Sequence, residues 1–275
     1  MIISTERKII AEIRAITKGA ADATFNRLID FPWVSVGGPG TANARVWEDE
    51  LRDRILVEEW SLRLGAIDTL RKKLARIRGE EFLPLPRPVM VIIPCGKSKT
   101  FTNFTRFNKL QKGMKDRKED GTALVRAMAA YTSRLFGLNL LFALKYGDTF
   151  RILSAKYGFL QGHDFIEDYD ATFNSPGPGV ISDEELRRQA SQIEWAGYHK
   201  IIILGGKQYR DKLAAILPQR ARERVCRPLA GLDLPQMHKA LTEALSNPMH
   251  KEMLQNTFDL PPCHFLTAIN HLRII

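Results

Sequence analysis

The chain is poor in cysteine, and its few cysteines do not form pairs. Cys95, Cys226 and Cys263 are odd in number and widely spaced, without a C-x-x-C motif. This pattern excludes a disulfide-stabilised fold and a paired-cysteine zinc site, and it indicates a reducing, cytoplasmic compartment. The six histidines also lack the spacing of a ligand set, so we expect neither a metal nor a cofactor.

Long apolar runs are missing too. No segment approaches the roughly 18 apolar residues that cross a bilayer, and the N-terminal MIISTERKII lacks the apolar core of a signal peptide. Gly205, Gly206 and Lys207 do not form a G-x-x-x-x-G-K-[ST] phosphate loop, which argues against a nucleotide triphosphatase. We therefore expect a soluble cytoplasmic protein, without a membrane partner.

Acidic residues are outnumbered by basic ones. The 41 Lys and Arg against 31 Asp and Glu give a net charge of +10 and a pI near 9.6. A positive field of this size concentrates polyanions at the surface, so nucleic acid is the first candidate partner. The alternative is a generally basic soluble protein.

The pattern of apolar residues changes near a proline-rich segment. Before it, Ile9 and Ile13 belong to a helical repeat, and a second helical pattern runs from Trp47 to Ile77. Pro84, Pro86 and Pro88 then predict a linker. We predict an N-terminal helical domain over residues 1–84 and an α/β catalytic domain over residues 85–275.

The second domain alternates strands with helices, which predicts a parallel four-stranded sheet flanked by helices. The strands are predicted at Val89–Pro94, Phe150–Ala155, Lys200–Leu204 and Arg224–Pro228. The helices are predicted at Thr122–Phe136, Asp183–Ala196 with Ser182 as N-cap, Gln208–Leu217 and Pro235–Leu245.

Lysines follow three of the predicted strands. Lys97 and Lys99 come after the run VMVIIP, Lys156 after FRILSA, and Lys207 after IIILGG. Ligands of open α/β sheets bind beyond the carboxyl ends of the strands. We therefore expect these amines to line one crevice that receives an anionic or carbonyl-bearing group. A strand followed by a solvated basic turn is the alternative at each position.

The segment from Lys97 to Asp120 combines cations with aromatic rings. It carries Phe101, Phe104 and Phe107 among eight Lys and Arg residues. Cations neutralise phosphates, and rings stack on bases or wedge base steps, so the segment favours contact with DNA. The DNA-binding residues predicted from it are Arg106, Lys109, Lys112 and Lys115. A solvated loop with its phenylalanines folded back is the alternative.

Four carboxylates, Asp164, Glu167, Asp168 and Asp170, follow the second strand in this basic chain. Carboxylates beside a cationic pocket stabilise an oxocarbenium-like sugar and orient a water molecule. We predict this role for Asp170. For the other three we keep a structural role, in which Asp164 and Glu167 cap a turn and Asp168 pairs with Lys156.

The motifs PCGKSK, ILSAKYGFL, IEDYD and LGGKQY, in this order, resemble a family of bacterial and phage domains. ILSAKYGFL with the following E-x-Y-D is also similar to DNA-binding peroxide-stress proteins, and the P-C loop resembles the archaeosine synthase core. The resemblance covers about residues 89–246 and implies a fold of the uracil-DNA glycosylase superfamily, as in anti-phage DNA glycosylases. The GQDPY-like and HPSPLS-like loops are absent, which argues against uracil as the substrate.

The first functional hypothesis is a monomeric, metal-independent DNA glycosylase that flips a modified base out of double-stranded DNA. Asp170 and Lys97 are its predicted catalytic residues. The predicted substrate-binding residues are Cys95, Gly96, Ser98, Lys99, Ser154, Lys156, Tyr157, Asp168, Tyr169, Gly206, Lys207 and Tyr209. Two alternatives stay open: an enzyme that modifies a nucleobase through a nucleophilic Lys97 or Lys99, and a DNA-binding stress protein without catalysis.

Overall fold

The computed structural model describes residues 2–29, 59–60, 62–82, 84–85, 87–102, 114–175 and 177–246. These residues group into two compact units. The first contains the chain up to Pro88 together with Gly197–His199. The second contains Val89–Ala196 and the described chain from Lys200 to Ser246.

Two helices account for most of the described residues of the first unit. α1 (Ile2–Ile29) packs against α2 (Leu64–Arg78), and an ion pair joins Arg78 to Glu6. The apolar stripe of α1 buries Ile9 and Ile13 against Leu70, as the helical spacing predicts. A second cluster is formed by Ala20, Trp60, Leu64 and Ile67.

The described part of the second unit contains eight strands and six further α-helices. The strands are β1 (Val89–Pro94), β2 (Lys115–Arg117), β3 (Ala123–Arg126), β4 (Thr149–Ser154), β5 (Gly158–Leu160), β6 (Phe165–Ile166), β7 (Lys200–Ile203) and β8 (Val225–Cys226). The helices are α3 (Ala127–Ala130), α4 (Arg134–Tyr146), α5 (Asp183–Ser191), α6 (Lys207–Ile216), α7 (Gln219–Arg222) and α8 (Leu234–Ser246). Short 3-10 turns lie at Thr100–Thr102 and Trp195–Gly197.

The main sheet has the order β5-β4-β1-β7-β8, with β1 at its centre. β1 pairs in parallel with β4 and β7, and β7 pairs in parallel with β8. All six residues of β1 are buried, because both faces of the sheet are covered. On one face, Val91 and Ile93 pack in a core that includes Phe142 of α4 and Leu241 of α8.

The prediction of a four-stranded sheet is wrong, because the main sheet has a fifth strand. After β4 the chain turns back through residues 155–157, and β5 pairs with β4 in the antiparallel direction. The turn needs Gly158, which has a φ of +77° and whose added Cβ would lie 2.1 Å from Gln189 Oε1. Three residues are too few to show a strand periodicity in the sequence.

A second sheet also differs from the prediction. It has the order β2-β3-β6, with antiparallel pairs. The helix predicted over Thr122–Phe136 is wrong at its start: residues 123–126 form β3, and only a four-residue helix separates it from Tyr131. α4 begins later, because Ser133 caps it by accepting a hydrogen bond from the Phe136 N–H at 3.2 Å.

The other predicted elements of this unit occur close to their expected positions. The helix that begins at Asp183 ends at Ser191 instead of Ala196, and its predicted cap Ser182 accepts from the Glu185 N–H at 3.1 Å. Part of the helical pattern predicted from Trp47 lies outside the described residues. Among the helices that the structure describes, none combines the length and hydropathy needed to cross a bilayer.

Candidate active site

The carboxyl ends of the central strands carry the chemistry-bearing residues. β1 leads into the loop Cys95–Lys99, β4 into the turn at residues 155–157, and β7 into the three residues before α6. These strands are parallel, so their ends meet at one edge of the sheet. The loop after β1 packs closely on its neighbours, because a Cβ on Gly96 would lie 3.1 Å from Ser133 Oγ.

An open pocket of about 510 Å³ lies at this edge. Its lining combines the loop after β1 with the acidic segment, and consists of Lys97, Ser98, Lys99, Asp168, Tyr169 and Asp170. Lys97 and Asp170, the two residues predicted to be catalytic, therefore line the same pocket although 73 positions separate them in the sequence.

Lys99 is the buried amine of the pocket. Its side chain is 6% exposed, whereas Lys97 is exposed. Lys99 Nζ donates to the carbonyl oxygen of Tyr169 at 2.7 Å and to that of Lys97 at 3.3 Å, and it lies 4.0 Å from the centre of the Tyr169 ring. Burial lowers the pKa of Lys99 below its ordinary value, against the opposing charges of Asp168, Cys95 and Asp170.

Three hydroxyl groups form a connected set beneath this amine. The Tyr169 hydroxyl lies 2.8 Å from the Tyr131 hydroxyl and 2.9 Å from Ser154 Oγ. Ser154 Oγ also accepts from the N–H groups of Lys156 and Tyr157, so its own O–H donates to the Tyr169 oxygen. Burial raises the pKa of both tyrosines, which keeps the two phenols neutral.

Lys156 and Tyr157 extend the aromatic wall. The rings of Tyr157 and Tyr169 meet edge to face, with their centres 5.4 Å apart. Lys156 Nζ lies 5.0 Å from the Tyr157 ring centre and 5.8 Å from that of Tyr169. The turn after β4 therefore places the Lys156 amine and the Tyr157 ring beside Tyr169, which lines the pocket.

Cys95 and Tyr209 form a separate contact at the ends of β1 and β7. Cys95 Sγ lies 3.2 Å from the Tyr209 hydroxyl, which also donates to the Cys95 carbonyl oxygen at 3.4 Å. The Tyr209 ring packs edge to face on Phe173 at 5.4 Å. Burial, the largest cause, raises the pKa of Tyr209. This tyrosine contacts the loop that carries Lys97, without being one of the residues that line the pocket.

The four carboxylates of the acidic cluster have different surroundings. Asp164 Oδ2 accepts from the Gln161 N–H at 2.7 Å, so it stabilises a turn as expected. Glu167 is paired with Lys118, and Asp168 Oδ1 accepts from the Tyr169 N–H at 2.9 Å. Among the described residues no ion pair joins Asp168 to Lys156. Asp168 and Asp170 are exposed and face the pocket.

Other predicted residues lie away from the pocket or outside the described chain. Gly206 is the N-cap of α6, and Lys207 is exposed in its first turn. Lys115 begins β2, at an edge of the second sheet. Arg106, Lys109 and Lys112, together with Phe104 and Phe107, lie outside the described residues.

Tyr131 is a residue of the site that no sequence pattern predicts. It is 5% exposed, its hydroxyl contacts Tyr169, and its backbone bridges that of Lys99. The surrounding AMAAYTS belongs to the segment predicted as one helix, so no local pattern singles out this tyrosine. Among the residues that the structure describes, no group of three or more His, Cys, Asp or Glu could hold a metal ion.

Comparisons with known proteins describe the relatives of this chain. The sequence profile of a family of unknown function, DUF6884, matches residues 115–243. The uncharacterized protein YfjM of Bacillus subtilis (strain 168) is 31% identical over 160 residues, which span 56% of this chain and 95% of the relative. No solved structure matches the chain. The matched profile includes Tyr131, Ser154 and Asp170 and excludes the loop after β1.

Proposed function

Because the chain belongs to the family DUF6884, whose function is unknown, we propose a function on the geometry of the pocket. The protein is a DNA glycosylase that excises a modified base from double-stranded DNA and leaves an abasic site. It acts as a monomer on a flipped nucleotide. The observation that carries the proposal is the shared pocket of two lysines and two carboxylates at the carboxyl edge of a parallel sheet.

The carboxylates match the charge that develops during hydrolysis at an anomeric carbon. As the bond between C1′ and the base breaks, the electron pair leaves with the base and the sugar becomes cationic. Asp170 stabilises this cation and orients the water whose oxygen bonds to C1′. Its exposed carboxylate, at the pocket mouth, is accessible to both sugar and water.

The cations and rings match the rest of a flipped nucleotide. Lys97 is exposed beside Asp170 and reaches a flanking phosphate or the departing base. Tyr157 and Tyr169 provide an aromatic wall on which a base stacks. The net charge of +10 favours binding of the duplex as a whole. The four parallel strands and the motif resemblance support a sheet of the uracil-DNA glycosylase type.

The test is release of free base from duplexes that carry deaminated, methylated or hydroxymethylated bases, with alkali to cleave the resulting abasic sites. Asp170→Asn should lower the rate by roughly 10²–10⁴-fold, because it removes the charge that acts on the transition state. Binding of the same duplexes should stay within about twofold of the unmodified protein.

Asp211→Asn is the matched control, since Asp211 is an exposed carboxylate on α6 that does not line the pocket. It should keep full activity. If the Asp170→Asn protein were as active as the unmodified protein, Asp170 would have no role in the mechanism. Absence of free base and of abasic sites across the whole panel would reject base excision and favour a DNA-binding protein without catalysis.

One observation favours a second candidate function. Lys99 is buried, and burial lowers the pKa of its amine, which increases the fraction in the neutral, nucleophilic form. In an enzyme that modifies a nucleobase through this amine, the product DNA would change in mass and stay intact in alkali. Mass spectrometry of the DNA after incubation separates this reaction from base excision.

A further inference from the structure

Lys99 occupies a position that base hydrolysis by Asp170 does not use. Lys99 lines the pocket although it is buried, and its Nζ lies 4.0 Å from the centre of the Tyr169 ring. A neutral amine has two N–H bonds, and the carbonyl oxygens of Tyr169 and Lys97 accept from this nitrogen. These two acceptors orient the amine, so the direction of its lone pair is determined by the backbone.

The neighbours of Lys99 supply the other groups that imine chemistry needs. Asp168 and Asp170 line the same pocket and can accept a proton, and the exposed Lys97 can hold a phosphate. The substrate is a sugar whose C1′ has become an aldehyde, which is the ring-opened form of an abasic site. The neutral amine is the form that attacks such a carbon, and burial of Lys99 increases its neutral fraction.

We propose that Lys99 forms an imine with the abasic sugar and that the protein thereby cleaves the DNA strand by β-elimination. This inference rests on the proposed function, since base excision is what delivers the abasic sugar to the pocket. It adds a strand-cleaving activity to base release and selects Lys99 over Lys97 as the nucleophile.

The reaction balances without an oxidant or a reductant. The Nζ lone pair bonds to C1′, and the aldehyde oxygen leaves as water after accepting the two protons that the amine nitrogen gives up. A carboxylate of the pocket then takes a proton from C2′, and the electrons of that bond form the C2′=C3′ double bond. The C3′–O bond breaks, and the phosphate leaves with its electron pair. Water finally hydrolyses the imine and frees Lys99.

The surroundings of Lys99 also favour the neutral form. Burial lowers the pKa of this amine below the ordinary 10.5, so the fraction of free base at neutral pH exceeds that of a surface lysine. The yield of imine should therefore rise with pH and level off below pH 10.5.

The experiment uses the full chain and a duplex with one preformed abasic site, which removes any dependence on the identity of the excised base. Sodium borohydride reduces an imine to a stable amine and leaves a covalent protein–DNA adduct. We expect an adduct on a denaturing gel. Peptide mass spectrometry of the adduct from the unmodified protein should locate the sugar remnant on Lys99, and this measurement needs no variant.

Variants provide a second readout. Lys99→Met should reduce the adduct by about a hundredfold or more, whereas Lys239→Met, the matched control at an exposed lysine of α8 that does not line the pocket, should keep its yield within about threefold. Thermal unfolding of both proteins shows whether each is folded. An adduct that maps to Lys97 or to scattered surface lysines overturns the inference, and so does a complete lack of adduct.

Failure of this inference and failure of base excision give different results. If base is released from the modified duplexes but no adduct forms on Lys99, base excision stands and Lys99 is not the nucleophile. Trapping on Lys99 without base release from any duplex supports the nucleophile and overturns base excision as the source of its substrate.

Discussion

At the scale of single residues, the hydroxyl set of Tyr131, Tyr169 and Ser154 couples stability to pH. Burial raises the pKa of the Tyr131 phenol above its ordinary 10.0. Below pH 10 the phenol is protonated in both the folded and the unfolded protein. Above pH 10 it ionises in the unfolded chain alone, so the free energy of the unfolded state falls relative to that of the folded state as the pH rises.

The prediction concerns the free energy of unfolding above pH 10. Each buried phenol should lower it by about 1.4 kcal/mol per pH unit, until the pH reaches the raised pKa of the folded protein. Tyr131→Phe should make this decline shallower by about that amount, as measured by urea unfolding at several pH values between 9 and 11.

Ser154→Ala is the control for the lost hydrogen bond. It removes one partner of the hydroxyl set without removing a titratable group, so it should lower stability by about 1–3 kcal/mol at every pH and leave the decline above pH 10 unchanged. If Tyr131→Phe also leaves that decline unchanged, Tyr131 does not remain neutral in the folded protein.

At the scale of elements, α5 holds the turn after β4 in place. Gln189 of α5 accepts from the Phe159 N–H at 2.9 Å and donates to the Tyr157 carbonyl oxygen at 3.1 Å. The helix itself depends on Ser182, whose side chain accepts from the Glu185 N–H. The position of the Tyr157 ring therefore depends on a cap 25 residues further along the chain.

Ser182→Ala should lower the free energy of unfolding by about 1 kcal/mol, because it leaves an N–H of the first turn without its side-chain partner. Ser182→Asp should restore most of this loss, since a carboxylate accepts the same hydrogen bond and interacts favourably with the helix N-terminus. Urea unfolding measures both variants. An Ala variant as stable as the unmodified protein would contradict the capping role.

At the scale of the whole molecule, the net charge of +10 predicts binding to DNA that weakens with salt. Each cation that neutralises a phosphate releases condensed counterions on binding, and this release is less favourable at high salt. The affinity for a duplex should therefore fall steeply between roughly 50 and 200 mM salt. Fluorescence anisotropy measures this decrease.

A triple variant should have a slope of log affinity against log salt that is shallower by about 2 to 3. Its three changes to Ala are at Lys109, Lys112 and Lys115. The matched control changes Arg187, Arg220 and Lys239 to Ala, which removes the same number of charges from exposed helix positions. The control should keep the slope. Equal slopes for the two triple variants would mean that the segment before β2 makes no phosphate contacts.

The sequence alone predicts the four parallel strands of the main sheet, most of the helices between them and the chemistry at the strand ends. Runs such as VMVIIP in β1 and Ile201–Ile203 in β7 are continuously apolar because both faces of a parallel sheet are buried, and this pattern is visible without a structure. Ser182 is recognisable as a cap because the preference for such residues is local. The placement of Lys97 and Asp170 after strands follows from the same pattern.

Only the tertiary structure decides which of these residues meet, because the contacts join parts of the chain that are far apart. Lys97 and Lys99 follow the same strand two positions apart, and their burial differs because Lys99 bridges Tyr131 and packs under Tyr169. Tyr131 meets Tyr169 across 38 positions. The antiparallel strand β5 also depends on a distant partner, since Gly158 packs against Gln189 of α5. Long-range packing of this kind leaves no periodic trace in the local sequence, so it appears only once the chain is folded.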